Sequence, residues 1–269
     1  MSAHLKQDEP VTSNRLDGMK QGIVGQPLSR VDGLAKVTGT APYAAEYKID
    51  NVAEGVLVTA PITRGEVTSI DKDSVLSMPG VLAVLNDERL TTRAAQGTAN
   101  EAPQQDPATV CYWGQPIAVV VAETFEQARD AAKHLKVEYR VHEGAPLDPH
   151  QVTPEEQEDE TVNQGNLDAA MARAAHTVDV EIATEGHASA AMEPHAAIAE
   201  WRDDKLTVHA SLQMPNYNIA ELADSLGIEE SDIRLVSRYV GGGFGSKLGV
   251  SEETVAAAIA ARELGRPVR

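Results

Sequence analysis

The sequence predicts an α+β chain of two folded units joined by an acidic linker. Three observations carry this expectation. Short strand-like runs at 55–60, 81–85 and 117–122 are parted by turn signals such as Met78-Pro79-Gly80. An amphipathic helix over 125–135 sets Phe125, Ala128, Ala131, Ala132 and Leu135 on one face and leads into a strand over 136–139. The run Pro154-Glu155-Glu156-Gln157-Glu158-Asp159-Glu160 has no hydrophobic residue before Val162, the composition of a solvated linker. Nothing gathers those carboxylates toward one point, so a metal cluster is the lesser reading. The domain boundary belongs there.

Beyond the linker, the pattern predicts a short helix over 167–174 and strands over 177–183 and 206–211. A helix over 217–226 follows, with Ile219, Leu222, Ala223 and Leu226 at helical spacing and Gly227 as its stop. A last helix starts after Ser251, a good N-cap. It carries Glu252 and Glu253 toward its positive end and closes at Leu264 before Gly265 and Pro267. Residues 1–20 are polar and lack an apolar segment, which predicts a disordered leader (extended here to residue 24) with no secretory signal of its own. The polar stretch 91–109, rich in Gln, Ala and Pro, reads as a long exposed loop. No internal repeat is visible.

Composition excludes several classes of function. The 269 residues carry a net charge of −18, which disfavours a nucleic-acid partner. No run of 18 apolar residues exists, so no membrane span is expected. Cys111 is the sole cysteine, which excludes an internal disulfide and a cysteine-ligated iron–sulfur cluster within the chain. Any such cluster belongs to a partner.

The most informative stretch is Tyr239-Val240-Gly241-Gly242-Gly243-Phe244-Gly245-Ser246-Lys247, directly after the strand-like Ile233-Arg234-Leu235-Val236. Glycines free the backbone for positive φ and for close approach of a ligand, and such runs present successive N–H groups to an anion. A β-bulge or tight strand exit is the plainer alternative. The loop is no Walker motif, since Ser246 precedes Lys247 and Leu248 follows it. It is a poor dinucleotide fingerprint, since Ser246 replaces the third glycine and Glu263 lies inside a helix. Lys247 could neutralise a phosphate or pair with a carboxylate. Glu193-Pro194-His195 lacks the further donors of a metal site, with His176, His187 and His209 at no ligand spacing, and reads as a hydrogen-bonded turn.

Five motifs in order carry a resemblance. They are Arg30-Val31-Asp32-Gly33 with Lys36-Val37-Thr38-Gly39-Thr40-Ala41-Pro42-Tyr43, then Gly114-Gln115-Pro116 through Glu123-Thr124, Ala191-Met192-Glu193-Pro194-His195, Leu212-Gln213-Met214-Pro215, and the glycine loop. From about Gly25 to its last residue the chain resembles the molybdenum-binding subunit of the xanthine dehydrogenase/aldehyde oxidase family. The likeness is to bacterial aldehyde oxidases whose molybdenum subunit is a separate polypeptide. The spacing from Gln213 to Phe244 matches as well.

The resemblance implies an α/β hammerhead domain over 25–150, a linker over 151–164 and the first part of a molybdopterin-binding α+β domain over 165–269. It implies a molybdenum cofactor, molybdopterin in its cytosine dinucleotide form, with FAD and [2Fe-2S] on partner subunits. Gln213 would hydrogen-bond a ligand of the molybdenum. Gly242, Gly243, Phe244 and Gly245 would bind the cofactor, the Phe244-Gly245 backbone touching the pterin dithiolene. Phe244 by itself reads as a buried anchor for the loop, and both roles stand. Leu248 occupies the position where purine hydroxylases of the family hold a glutamate, which implies a pocket for an apolar or aromatic aldehyde. Ser246 departs from the family's usual glycine and leaves the positive-φ geometry open there.

The general base of the family lies toward the C-terminus of longer chains, so no catalytic residue is expected here. The expected reaction is oxidative hydroxylation of an aldehyde to a carboxylic acid, with water as the oxygen source. The chain alone is expected to be inactive, needing an iron–sulfur subunit, an FAD subunit and the C-terminal part of the molybdenum subunit. The alternatives are a non-catalytic remnant that binds a partner and an unrelated nucleotide binder. A cytoplasmic location is expected, with co-export to the periplasm on a signal-bearing partner as the other route.

Overall fold

The computed structural model describes Gly18, Gly22 and residues 25–90, 108–144 and 164–269. Nearly all of the expected leader, most of the 91–109 loop and the acidic run fall outside the described residues. Two compact units are distinguished, Met1–Ala41 and Pro42–Arg269. The first contains helix α1 (Gly33–Val37), where the Lys36 ammonium sits 2.6 Å from the Asp32 carboxylate one turn back.

The second unit begins with β1 (Glu54–Thr59), β2 (Gly65–Asp71), a single helical turn α2 (Asp73–Leu76) and β3 (Val81–Leu85). It continues through β4 (Thr109–Val110), β5 (Pro116–Ala122), α3 (Phe125–His134) and β6 (Lys136–Val141). These strands form two antiparallel three-stranded sheets, ordered β1-β5-β3 and β4-β2-β6. All seven residues of β5 are buried, which is why its sequence reads as an unbroken apolar run instead of alternating. Helix α3 opens on a reciprocal capping box between Thr124 and Gln127 and buries Ala128 and Ala131. Phe125, expected on that buried face, is instead half exposed beneath the Arg129 guanidinium.

From residue 164 onward come α4 (Leu167–Arg173), β7 (Ala197–Arg202), β8 (Lys205–Ala210), α5 (Pro215–Leu226), β9 (Ile233–Val236) and α6 (Glu252–Leu264). The third sheet is β7-β8-β9, antiparallel at its first pair and parallel at its second. Helix α5 starts two residues before the expected 217, because Pro215 is well suited to a first helical turn that needs no N–H. Helix α6 buries every residue from Thr254 to Ala261, so its small side chains permit close packing all round. Ser251 is its N-cap, but its hydroxyl donates to the Glu253 carboxylate and does not cap the backbone.

One expected strand is absent. Residues 177–183 have the alternating pattern of a strand but no ladder partner among the described residues, and Val178, Val180 and Ile182 are exposed. A strand needs a neighbour to satisfy its backbone, and the alternation by itself supplies none.

Among the described residues there are two core clusters, one within 58–135 and one that spans both sides of the expected boundary. Ala53, Val119 and Val121 pack in one cluster with Ala199, Leu206, Val208, Leu222 and the buried face of α6. The C-terminal residues stitch it together. Val268 bridges Ala53 in parallel and Ala199 in antiparallel fashion, and the Gly55 N–H donates to the Arg269 carbonyl at 2.7 Å.

Candidate functional site: a glycine loop closed over Gln213

Strand β8 ends at Ala210, and the chain then turns through Ser211 and Leu212 to Gln213. The Ser237 hydroxyl holds this turn, accepting from the Leu212 N–H at 3.1 Å and donating to the Leu212 carbonyl at 3.2 Å. That bond links the exit of β8 to the exit of β9, from which the glycine loop departs. The loop then folds back onto Gln213. The Gln213 N–H donates to the Lys247 carbonyl at 2.7 Å, while the Gln213 Oε1 accepts from the N–H groups of Gly245 at 3.1 Å and Lys247 at 3.3 Å.

Two backbone donors on one amide oxygen fix which way the side chain is turned. The Nε2 group therefore faces away from the loop, as a donor without a partner among the described residues. The N–H groups of Gly242, Gly243 and Phe244 likewise have none there. Three successive backbone donors and one amide donor make a set that suits an anionic, acceptor-rich group.

The glycines are required for two separate reasons. Gly242 and Gly245 hold φ of 103° and 96°. Gly243 has no positive φ; its requirement is space, since a Cβ there would lie 2.2 Å from Gln213 Oε1. Gly241 is similar, with a Cβ position 2.4 Å from that of Glu193. Ser246 does not adopt positive φ, so its replacement of glycine leaves the loop unstrained at that point. The strained residue is Phe244, at φ 52°. Its side chain is 77% exposed, which overturns the expected buried anchor: the ring projects from the loop, whose footing lies elsewhere.

That footing is Glu193 with Lys247. The Lys247 side chain is 1% exposed and its ammonium reaches Glu193 Oε2 at 3.1 Å, the Glu193 carbonyl at 3.0 Å and Ser211 Oγ at 3.3 Å. The same Oε2 accepts from Ser211 Oγ and the Gly241 N–H, both at 2.6 Å, and Oε1 accepts from the Ala44 N–H at 3.3 Å. Burial pulls the Glu193 carboxyl upward, but the Ser211, Gly241, Lys247 and Ala44 donors outweigh it and hold the group below the usual carboxylate range. Lys247 is thus a structural cation, and of the two readings open in the sequence the carboxylate pairing is the one realised.

The loop exit is clamped separately. Buried Asn218 donates from Nδ2 to the Leu248 carbonyl at 2.7 Å and to Glu221 Oε2 at 2.8 Å, and that oxygen also accepts the Val250 N–H at 2.9 Å. Leu248 is left 41% exposed. His195 stands beside the loop, its Nε2 3.4 Å from Ser246 Oγ and its Nδ1 3.6 Å from Glu253 Oε1. No group of three or more His, Cys, Asp or Glu side chains able to hold a metal occurs among the described residues. A cavity of about 440 Å³ lies against Val56, Val119, His195 and Glu253, and none of the expected site residues line it.

Sequence reasoning missed Ser211, Ser237, Asn218 and Glu221. Each is a polar residue on a buried face of its turn or helix, and polarity at an inward-facing position of α5 was the signal available for the last two.

The two halves of this fold match two known domain families. Residues 38–143 match the aldehyde oxidase and xanthine dehydrogenase a/b hammerhead domain, and residues 149–269 match the molybdopterin cofactor-binding domain. The chain belongs to the aldehyde oxidase/xanthine dehydrogenase family and corresponds to an N-terminal portion of its molybdenum-binding subunit. It is 39% identical to the aldehyde oxidoreductase molybdenum-binding subunit PaoC of Escherichia coli (strain K12), over 98% of this chain and 36% of that protein. It is 29% identical to the nicotine 6-hydroxylase large subunit of Paenarthrobacter nicotinovorans, over 97% of this chain and 34% of that protein. The chain therefore spans about a third of the length of these relatives.

Among solved structures, aldehyde oxidoreductase from Desulfovibrio gigas superposes with a TM-score of 0.73 at 25% identity, covering 89% of this chain and 29% of that one. Quinoline 2-oxidoreductase from Pseudomonas putida 86 superposes with a TM-score of 0.77 at 23% identity, covering 90% of this chain and 34% of that one. No described helix is long and apolar enough to cross a membrane.

Proposed function

We propose that the chain forms the N-terminal portion of a molybdopterin-binding subunit in an aldehyde oxidoreductase, converting aldehydes to carboxylic acids with water as oxygen source. The observation that carries this reading is the Gln213 amide, whose oxygen is held by two loop N–H groups so that its nitrogen is presented as a donor. In this reading Gln213 Nε2 donates to a ligand of the molybdenum. The N–H groups of Gly242, Gly243 and Phe244, with Gly245 setting the loop's path, hold the anionic part of the cofactor. Leu248 contributes an apolar wall to the aldehyde pocket, where a buried carboxylate would favour a hydrogen-bonding ring instead. When bound, the molybdenum cofactor supplies the oxygen-transfer and electron-accepting chemistry.

Glu193, at the foot of the loop, does not serve as a general base. Glu193 accepts four hydrogen bonds and stays ionised against its burial, which makes it a poor proton acceptor at neutral pH. In this reading the base is supplied by the remaining portion of the subunit, and the 269 residues alone are inactive. The cofactor form is the cytosine dinucleotide. An iron–sulfur subunit and an FAD subunit carry the electrons away, in the cytoplasm.

The exposed apolar side chains of Val178, Val180 and Ile182 favour a second reading, a non-catalytic module that holds a partner. Both are tested on the assembly purified through a tag on this chain. Molybdenum, a cytidine nucleotide and aldehyde-dependent dye reduction are expected in that assembly. A folded assembly with neither molybdenum nor pterin overturns the proposal, while cofactor without turnover leaves the non-catalytic module.

A further inference from the structure

Residues 177–188 form no helix, turn or sheet pairing, and their backbone donates and accepts no hydrogen bond with another described residue. Within them, Thr177-Val178-Asp179-Val180-Glu181-Ile182-Ala183 alternates apolar and polar side chains with the period of a strand that has one buried face. That apolar face is bare: Val178 is 83%, Val180 65% and Ile182 83% exposed. Single exposed apolar residues are ordinary. Three β-branched residues on one face of an unpaired backbone are a template for strand addition.

Two features indicate the occupant. The chain spans 36% of the length of its molybdenum-subunit relative, so the larger part of such a subunit lies beyond these residues and can supply a strand. A second copy is the poorer partner. Strands meeting in register would set Asp179 and Glu181 against their own kind, on a chain already at −18. The segment also leads directly to the candidate site, since Ser189 Oγ donates to the Phe244 carbonyl at 3.1 Å.

We propose that residues 177–183 become a β-strand by pairing with a strand of the remaining portion of the molybdenum subunit, burying Val178, Val180 and Ile182. Through Ser189 that pairing steadies the glycine loop at Phe244. The proposal rests on the reading of this chain as part of such a subunit, and its test separates the two.

Hydrogen exchange is measured on the chain alone and on the assembly recovered from its source through a tag on this chain. Amides of 178–183 exchange freely in the chain alone and slow by about tenfold or more in the assembly. The double variant Val180→Asp/Ile182→Asp melts like the parent chain, because both side chains are exposed, yet no longer recovers the polypeptide bearing the remaining portion. Equal exchange in both samples overturns the proposal, as does undiminished recovery by the variant. Absence of any such polypeptide from the assembly overturns the occupant, and a chain dimer abolished by the variant replaces it with a second copy. Molybdenum content reads the functional proposal independently: protection at 178–183 without molybdenum sinks that reading and leaves this one standing.

Discussion

The Lys247 ammonium lies 3.1 Å from the Glu193 carboxylate in a setting where Lys247 is 1% and Glu193 11% exposed. A buried pair of this kind is costly to break from one side, because the surviving charge stays in the interior without its partner. Lys247→Ala is therefore expected to lower the unfolding free energy by about 3–5 kcal/mol. Glu193→Gln combined with Lys247→Met should recover part of the loss. Denaturant melts of the two variants check this, and a single variant as stable as the parent would remove the pair from the structural account.

The same pair makes the loop sensitive to acid. Glu193 has a carboxyl lowered from its ordinary 4.5, so its contribution is complete above that value and is lost as pH falls through the lower folded-state value. Stability followed below pH 4.5 should drop more steeply in the parent than in Glu193→Gln. Parallel curves would show that other carboxylates govern the acid limb.

Gln213 and Gly243 form a discriminating couple in the assembled enzyme. Gln213→Ala removes one preorganised donor, an effect of ~3 kcal/mol or roughly a hundredfold in rate, with molybdenum content largely kept. Gly243→Ala should instead lose cofactor, since its Cβ would stand 2.2 Å from Gln213 Oε1 and drive the loop off the glutamine. Metal analysis beside kinetics separates them; full activity per molybdenum in the first, or normal cofactor in the second, contradicts the assignment.

Leu248→Glu places a carboxylate at the loop exit without disturbing the backbone clamp from Asn218. Turnover of apolar aldehydes should fall, by several kcal/mol in kcat/KM if the group becomes buried on substrate binding. Unchanged aldehyde kinetics would put Leu248 outside the pocket.

Limited proteolysis is expected to cut first in the acidic stretch 151–164, whose composition is that of a linker. The fragments should then stay together through native gel filtration, because Ala53 and Val121 share a buried cluster with Ala199 and Val208. A first cut within α3, or separation of the fragments, would argue against this arrangement.

The glycine loop and the helices on either side of it, α5 and α6, were legible because each has a local signature. Glycine runs, helix stops and unbroken apolar stretches are readable within ten residues. Strand β7 was not, since Ala197, Ile198 and Ala199 are all buried and show no alternation. Strand β2 was hidden for the opposite reason: Glu66, Thr68, Ser69 and Asp71 make it look like loop. The strand pattern of 177–183 was read from side chains alone, and side-chain alternation does not say whether a neighbour is present. Lys247 and Glu193 stand 54 positions apart, and no local pattern chooses between a phosphate and a carboxylate for a lysine beside glycines. The two reasons for the glycines, torsion at Gly242 and Gly245 and crowding at Gly241 and Gly243, separate only in three dimensions.

The bridge from Val268 to Ala53 and Ala199 also sets the order in which the chain can fold. Glu54 and Arg269, joined by an ion pair in the same region, are 215 positions apart. Closing so long a loop is entropically unfavourable and comes late, and folds dominated by such distant pairings reach their native state slowly. During synthesis the apolar surfaces of β1 and β7 are made long before residues 267–269 leave the ribosome. The nascent chain must therefore wait with those surfaces incompletely covered, which makes it a natural client for chaperones and prone to aggregate when expressed too fast.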